Sequence, residues 1–462
     1  MFHLKKISAN NFMEVDAFIS QPKNSDEIFD CIKNAKINNL QICSFGAPLS
    51  SSNVSTITKQ IILDLTKLDN IIEFDWNKST IIVQAGTRIS TILRLVLPLN
   101  LTLVSITGFM KNTVVGNISN DVNGKDSWKN GNFSENVLSM KVILSSGEER
   151  EVSRENDPEL FNAICGGLGL LVIIKEVTLK LKPIPSYYVD ASTQKCANLE
   201  DQLNYFENIS ENSSDFAHSW IEPFAHKSNM GRGLFLEGKY SEVKHESNRK
   251  EVQKLLTPKT HILGIRNNVF WGITRNFYNY PVHYMASKAK FHKPLMNPQK
   301  RMPLTKFQSP INDKFPNWNR IYLPKGFREF QFLFSSSVFP EAFETLMKFC
   351  DKNGIMPIVA GIRKHKSQET LLSFHGEGYS LLMNFGLANF SKAKIEWIQE
   401  HLMEICLKYN GKVYLGKFPF ISSDAFKQMF PEHTKFIKLK KQLDPDNMLW
   451  SDAASCFLKD LF

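Results

Sequence analysis

Four segments of the chain combine residue types and spacings that suit holding a large polar ligand. The first is Ser44-Phe45-Gly46-Ala47-Pro48-Leu49-Ser50-Ser51-Ser52. Its small residues let backbone N–H groups approach an anion closely, although a plain turn reads the same way. The second runs from Thr107 to Asp126 and interleaves Gly108, Thr113, Gly116, Ser119, Asn120, Asn123, Gly124 and Lys125 with Val114, Val115, Ile118 and Val122. A solvated loop has no use for those valines, whereas a buried polar loop around a ligand needs both kinds. A pair of turns around a short helix is the simpler alternative. The third, Gly166-Gly167-Leu168-Gly169-Leu170-Leu171-Val172-Ile173-Ile174, lets the backbone pass close to something, or merely ends a helix before a strand. The fourth, Leu443-Asp444-Pro445-Asp446-Asn447-Met448-Leu449-Trp450-Ser451-Asp452, is strong turn chemistry and alone says nothing of function.

These segments need a scaffold, and the hydrophobic periodicity supplies one. Ser25 to Asn39 reads as an amphipathic helix, with Ile28, Ile32, Ala35 and Ile37 at helical spacing behind an acidic first turn. Short β-branched or apolar runs at Leu40–Phe45, Gln60–Leu65, Thr80–Ala85, Val137–Leu144 and Val172–Leu181 read as strands. Helices are expected over Ile89–Leu99 and Pro158–Ile164. Further on, Phe330–Phe334 and Ser380–Phe385 read as strands, and Ala342–Lys352, Lys392–Lys408, Ser423–Phe430 and Glu432–Gln442 as helices. Between Tyr278 and Pro316 the pattern fades, which predicts loops. A chain of 462 residues exceeds one compact core, so two α+β domains are expected.

The composition, 42% apolar and 22% charged, is that of a globular protein and excludes disordered and fibrous classes. The net charge of +10 comes from lysines spread along the chain, so no nucleic-acid partner is expected. A denser stretch from Lys288 to Arg301, with Met and Phe among its lysines, suits a peripheral membrane contact or a mobile surface loop. The seven cysteines are scattered with no CxxC pair, which argues against a disulfide framework or a metal site and for reduced cytoplasmic thiols. The first residues lack a signal-peptide core, and no uninterrupted apolar run of about 20 residues occurs.

Taken in order, the segments GNFSENVLSMKVILSSGE, NDPELFNAICGGLGL, NWNRIYLPKGF and KQLDPDNMLWSD resemble the FAD-dependent oxidases of the vanillyl-alcohol-oxidase type, and within it the decaprenylphosphoryl-β-D-ribose oxidases. The resemblance covers nearly the whole chain. It implies a two-domain α+β fold with residues 1–185 forming the FAD-binding domain, 186–410 a substrate domain built on an antiparallel sheet, and 411–462 returning to the FAD domain. It implies FAD as cofactor and a sugar substrate, phosphorylated or polyprenyl-phosphate-linked, whose secondary alcohol becomes a ketone. A partner reductase would then complete an epimerisation. The FAD would be held by Ser44, Gly46, Ala47, Gly108, Thr113, Gly116, Ser119, Asn120, Asn123, Ile174 and Tyr414. Lys417 would stabilise developing negative charge, with Asn123 and Lys125 between flavin and substrate. Trp220, Tyr322, Gln331 and Arg363 match positions lining the sugar pocket, Arg363 replacing a lysine of the family.

The chain also departs from the family. Its first loop lacks the usual Arg, Tyr and second Gly, and Pro48 removes a backbone donor. The usual Gly-Gly is Val115-Gly116, and the usual Thr-Gly of the third loop is Leu171-Val172. The family's His-Gly-Lys-Asn is Asn123-Gly124-Lys125-Asp126, so any FAD is expected to be non-covalent. A pocket cysteine found in some members is replaced near Leu382. These changes keep two other readings open: a flavin-free binding or scaffold relative, and an FAD oxidase of an aldonolactone or polyol.

Overall fold

A computed structural model describes residues 4–9, 13–243, 248–277, 279–295, 298–387 and 390–462. The N-terminal part is built on two sheets. In the first, strands Leu4–Ala9, Met13–Ser20, Ile61–Asp64 and Ile42–Phe45 lie in that order, the last three parallel to one another. The Ile61-Ile62-Leu63 run is fully buried. A strand covered on both faces has no polar side to present, which is why it reads as a continuous apolar run. The helix Ser25–Ile37 buries Ile28, Cys31, Ile32 and Ala35, and the Asn24 side chain accepts from the Glu27 N–H at 3.0 Å as its cap.

The second sheet is antiparallel, in the order Ile71–Asp75, Thr80–Gln84, Ile173–Lys180, Val137–Ile143, Glu149–Ser153. The chain end rejoins this part: the Ile42 N–H donates to Met448 O at 2.6 Å, and the Trp450 N–H to Ile42 O at 2.9 Å.

A third, eight-stranded antiparallel sheet organises the middle of the chain. Its order is Gln299–Pro303, Tyr188–Cys196, Gly233–Tyr240, Phe216–Ile221, Val359–His365, Gly378–Gly386, Phe327–Ser335 and Lys412–Val413. In Phe327–Ser335, Phe330, Phe332 and Phe334 are buried on one face, with Phe334 against Phe339 of the helix Phe339–Lys352. Because side chains alternate along a strand, Glu329 and Gln331 fall on the other face, toward the N-terminal part. The architecture is α+β, as expected.

One expectation fails. Where loops are predicted from Tyr278 to Pro316, the structure has a helix Tyr280–His292, the strand Gln299–Pro303 and short helices Leu304–Gln308 and Pro310–Lys314; Tyr278 itself lies outside the described residues. Both ends of the dense basic stretch are anchored: Lys288 pairs with the buried Glu222 at 3.1 Å and Arg301 with Asp190 at 2.7 Å. The helix escapes notice because the face it turns inward carries His283 and Lys288 rather than an apolar stripe.

Candidate active site

The polar face of the large sheet is a grid set by register. Arg363 pairs with Ser380 and Gly361 with Leu382; Leu382 pairs in turn with Gln331, and Asn384 with Glu329. Trp220 lies opposite Gly361, which places Trp220 and His218, two residues apart, on the same face. Trp220, Arg363, Gln331 and Leu382 thus share one surface, joined by His218, Ser380, Asn384 and Glu329.

The segment after residue 105 crosses this surface. Asn123, buried, accepts from Arg363 NH1 at its backbone oxygen (3.0 Å) and at Oδ1 (2.5 Å), and Gln331 Nε2 donates to the same Oδ1 at 3.3 Å. Gln331 Nε2 also reaches Ser380 Oγ at 3.0 Å, which lies 2.8 Å from His365 Nε2. Lys125 is buried beside it; its ammonium donates to Phe307 O and sits 4.7 Å from the Phe307 ring centroid. Its backbone oxygen accepts from the Ala217 N–H at 2.9 Å, which ties this loop to the middle sheet.

The other expected residues gather on the N-terminal side. Thr113 caps the short helix Val114–Ser119 through Gly116, whose N–H donates to Thr113 Oγ1 at 3.3 Å. Gly46 passes so close that a Cβ there would lie 2.2 Å from that Oγ1. Gly169, at φ +73°, faces Ser44 and Ser119. Asn120 Nδ2 donates to Gly116 O at 2.8 Å, and Tyr414 OH to Asn120 O at 3.0 Å. Ala47 accepts the Leu49 N–H at 2.8 Å, and Ser50 and Ser52 both donate to Gly416 O, so the first loop leans on the turn that carries Lys417. Three placements are more remote. Gly108 rests against Gln308 and Ser309, Tyr322 sits in an aromatic cluster with Trp318 and Phe327, and Ile174 is buried in the second sheet opposite Val142.

Electrostatics single out two groups. Lys417 is held by Glu329, with Nζ 2.6 Å from Oε1, and lies 5.9 Å from the Tyr414 ring centroid. Burial lowers the Lys417 pKa, Glu329 opposes that, and Arg363 adds to it. The second group surrounds His218. Burial, then Lys125, Arg363 and Lys290, push this imidazole well below its ordinary pKa, so it is neutral. Its Nδ1 is buried with no partner. Burial, with Arg363 adding, brings Lys125 down to about 7. Lys290 rests on Trp220, its ammonium 3.7 Å from the ring centroid. Arg363, Lys125 and Lys290 therefore converge on one spot of the sheet with no acid hydrogen-bonded to any of them among the described residues. Two surface cavities of about 550 and 490 Å³ lie elsewhere, the first around His226 and Asp351, the second around Arg328 and Phe420.

The loops fit a dinucleotide cofactor. Ser44 Oγ, Asn112 Oδ1, Asn117 Nδ2 and Asn120 Oδ1 are buried without a protein partner. Each such atom costs about 1–3 kcal/mol when unpaired, and Ser44 beside Gly169 and Asn120 beside Gly116 would meet a polar ligand held by those backbones. Glu329 and His218 are residues that sequence reasoning misses, although the alternation Arg328-Glu329-Phe330-Gln331-Phe332 already places Glu329 on the same face as Gln331.

Residues 17–153 match the FAD binding domain family and residues 326–456 the D-arabinono-1,4-lactone oxidase family. Decaprenylphosphoryl-beta-D-ribose oxidase of Mycolicibacterium smegmatis is 24% identical over 396 residues, 85% of this chain and 84% of the relative. D-arabinono-1,4-lactone oxidase of Candida albicans is 29% identical over 233 residues, 47% of this chain and 41% of that one. The mitochondrial L-galactono-1,4-lactone dehydrogenase of Arabidopsis thaliana is 29% identical over 161 residues, 35% of this chain and 26% of that one. With a match to the FAD binding domain family ahead of one to the D-arabinono-1,4-lactone oxidase family, and a sugar oxidase similar across both, the chain is an FAD-dependent oxidoreductase.

Proposed function

We propose that the protein oxidises a secondary alcohol of a phosphorylated sugar to a ketone, as the oxidase half of an epimerising pair. The observation that carries this reading is the convergence of Arg363, Lys125 and Lys290 around a neutral His218 and the Trp220 ring. Burial brings both Lys125 and Lys290 down to about 7, with Arg363 adding to the shift of Lys125, so an anion bound among them would favour their charged forms. A phosphate suits the planar fork of Arg363 and the point charge of each lysine, while the Trp220 indole suits the apolar face of a sugar.

In this reading residues 1–185 and 411–462 hold the cofactor and 186–410 the sugar. Ser44, Gly46, Ala47, Thr113, Gly116, Ser119 and Asn120 hold the FAD, which when bound accepts the hydride from the carbinol carbon. Lys417 stabilises the negative charge that develops on the carbinol oxygen, and Glu329 holds that ammonium in one position. Asn123, fixed by Arg363 and Gln331, orients the sugar ring between the two halves. Tyr414 closes the pocket beside Lys417.

The test begins with the absorption spectrum before and after acid precipitation. Flavin that moves to the supernatant is non-covalent, as Asn123 in place of a histidine requires. Sugar phosphates and their dephosphorylated forms are then screened, with trapping of the ketone. Turnover that does not depend on the phosphate would overturn the reading. A second reading, oxidation of an aldonolactone, is favoured by the match of residues 326–456; turnover of a neutral lactone that survives Arg363→Ala would select it.

A further inference from the structure

The positive charge of the chain is more localised than the even spread of lysines suggests, because acids are missing from one stretch. Between Glu251 and Glu329 there are fourteen Lys or Arg and a single acid, Asp313. That stretch carries +13 while the whole chain carries +10, so the remainder is slightly acidic. Asp313 is itself held by Lys259 at 2.8 Å.

The same stretch holds most of the exposed apolar surface. Of the nineteen large hydrophobic residues exposed among the described residues, eleven lie between Leu263 and Phe315. They are arranged rather than scattered. Leu263, 88% exposed, is the tip of the hairpin His261–Ile262 and Ile265–Arg266. The helix Asn267–Thr274 turns Trp271 inward, its Nε1 donating to Pro316 O at 2.9 Å, and leaves Val269 and Ile273, one turn apart, outside. Phe277, 69% exposed, follows. Arg266 and Arg275, both exposed, have no ion-pair partner among the described residues. Beyond them, the helix Tyr280–His292 sets Lys290 on Trp220 while exposing Met285.

We propose that the face formed by the 261–266 hairpin, the 267–277 segment and the short helix Pro310–Lys314 with Phe315 docks on an anionic lipid bilayer. Apolar side chains ringed by unpaired cations match an acyl boundary beneath anionic headgroups. Against a soluble partner the same leucine tip would need a groove; against lipid it needs only depth. No helix among the described residues is long and apolar enough to cross a membrane, so the contact is one of docking. The inference stands on this surface alone and does not depend on the identity of the substrate.

The test is flotation of the purified, FAD-containing protein with phosphatidylcholine vesicles with or without phosphatidylglycerol. The protein floats with the anionic vesicles and less so as salt rises. Arg266→Gln with Arg275→Gln lowers the partition coefficient about thirtyfold, at about fivefold per cation near the surface. Leu263→Asp with Ile273→Asp reduces flotation to background. Lys33→Gln with Lys59→Gln, exposed on the opposite charge background, leaves it unchanged. Failure to float at low salt, or an equal loss in the Lys33/Lys59 control, overturns the proposal, as does a shift from dimer to monomer in the Leu263/Ile273 variant, which would make the face a contact between copies. Turnover of a water-soluble sugar phosphate without vesicles reads the catalytic proposal separately.

Discussion

Replacing Lys440 with methionine should loosen the glycine-rich 166–172 loop from the turn at 443–452. Lys440 and Asp444 are both fully buried. The Lys440 ammonium donates to Leu170 O at 2.8 Å, to Leu449 O at 2.7 Å and to the Asp444 carboxylate. Asp444 also accepts the N–H groups of Met448 and Leu449 at 3.0 and 2.8 Å. One ion pair thus joins the glycine-rich 166–172 loop to the turn at 443–452. Burial lowers the Lys440 pKa and Asp444 opposes that. Lys440→Met keeps the side-chain volume but leaves a buried carboxylate and two carbonyls without a cation. Breaking one side of a buried pair costs about 3–5 kcal/mol, which at about 2–4 °C per kcal/mol lowers the first unfolding transition by about 10 °C. The assay is thermal unfolding followed both by circular dichroism and by the fluorescence of released flavin; in the variant both midpoints fall together. Adding Asp444→Asn, which removes the stranded charge, recovers part of the loss. A Lys440→Met protein within about 1 kcal/mol of the parent, or a double variant no more stable than the single one, would refute the reasoning.

Three further outcomes follow from the site. Lys417→Ala lowers kcat by about 10²–10³-fold, the scale of losing one preorganised charge-stabilising donor, while the flavin spectrum is retained. Glu329→Gln removes the group that holds the Lys417 pKa up, so the alkaline limb of the kcat profile moves toward neutral pH; an unmoved limb would exclude Glu329 as the positioning group. Lys125, brought to about 7 by burial and by Arg363, is charged below that pH. For an anionic substrate, kcat/KM therefore falls as pH rises through about 7, and Lys125→Met flattens that limb. Folding stability responds in the opposite sense. Above about pH 7 the unfolded chain still holds a proton that the folded chain has lost, so stability rises with pH until the free lysine titrates near 10.5.

Periodicity made most of the scaffold legible. The parallel core strand Ile61–Asp64 announces itself as an unbroken apolar run, and the helix Ser25–Ile37 as an amphipathic one. The helix Tyr280–His292 does not, because the side it turns inward carries His283 and Lys288, with the half-exposed Tyr280 and Tyr284 packed edge-to-face with Phe224, while Val282 and Met285 point outward. Its pattern is inverted, and only the capping Asn279, whose side chain accepts from the Val282 N–H at 3.1 Å, with Pro281 in the first turn, marks it. In the site, Asn123, Gln331 and Arg363 stand out in the sequence only through family resemblance, since nothing local says that residues 208 and 240 positions apart share one carboxamide oxygen. Glu329 was within reach, because the strand alternates around it. The Lys440–Asp444 spacing of one helical turn is also visible, but an exposed pair has the same spacing; burial separates a surface pair worth little from one that anchors a loop.

The strand Ile42–Phe45 lies at the margin of the first sheet, and the groups on its outer side are met by Met448 and Trp450. The neighbouring bond, from Gln41 Nε2 to Asn447 O, spans 406 positions of chain. On the ribosome, at about 5–20 residues per second, this margin stays uncovered for about 20–80 s, a period in which an unpaired strand can recruit another nascent chain. The eight-stranded sheet, complete once Val413 has been made, has its last partner earlier. The part built on the eight-stranded sheet can thus assemble before the N-terminal part has its final strand contact, which would make FAD loading a late, post-synthetic event in the life of each molecule.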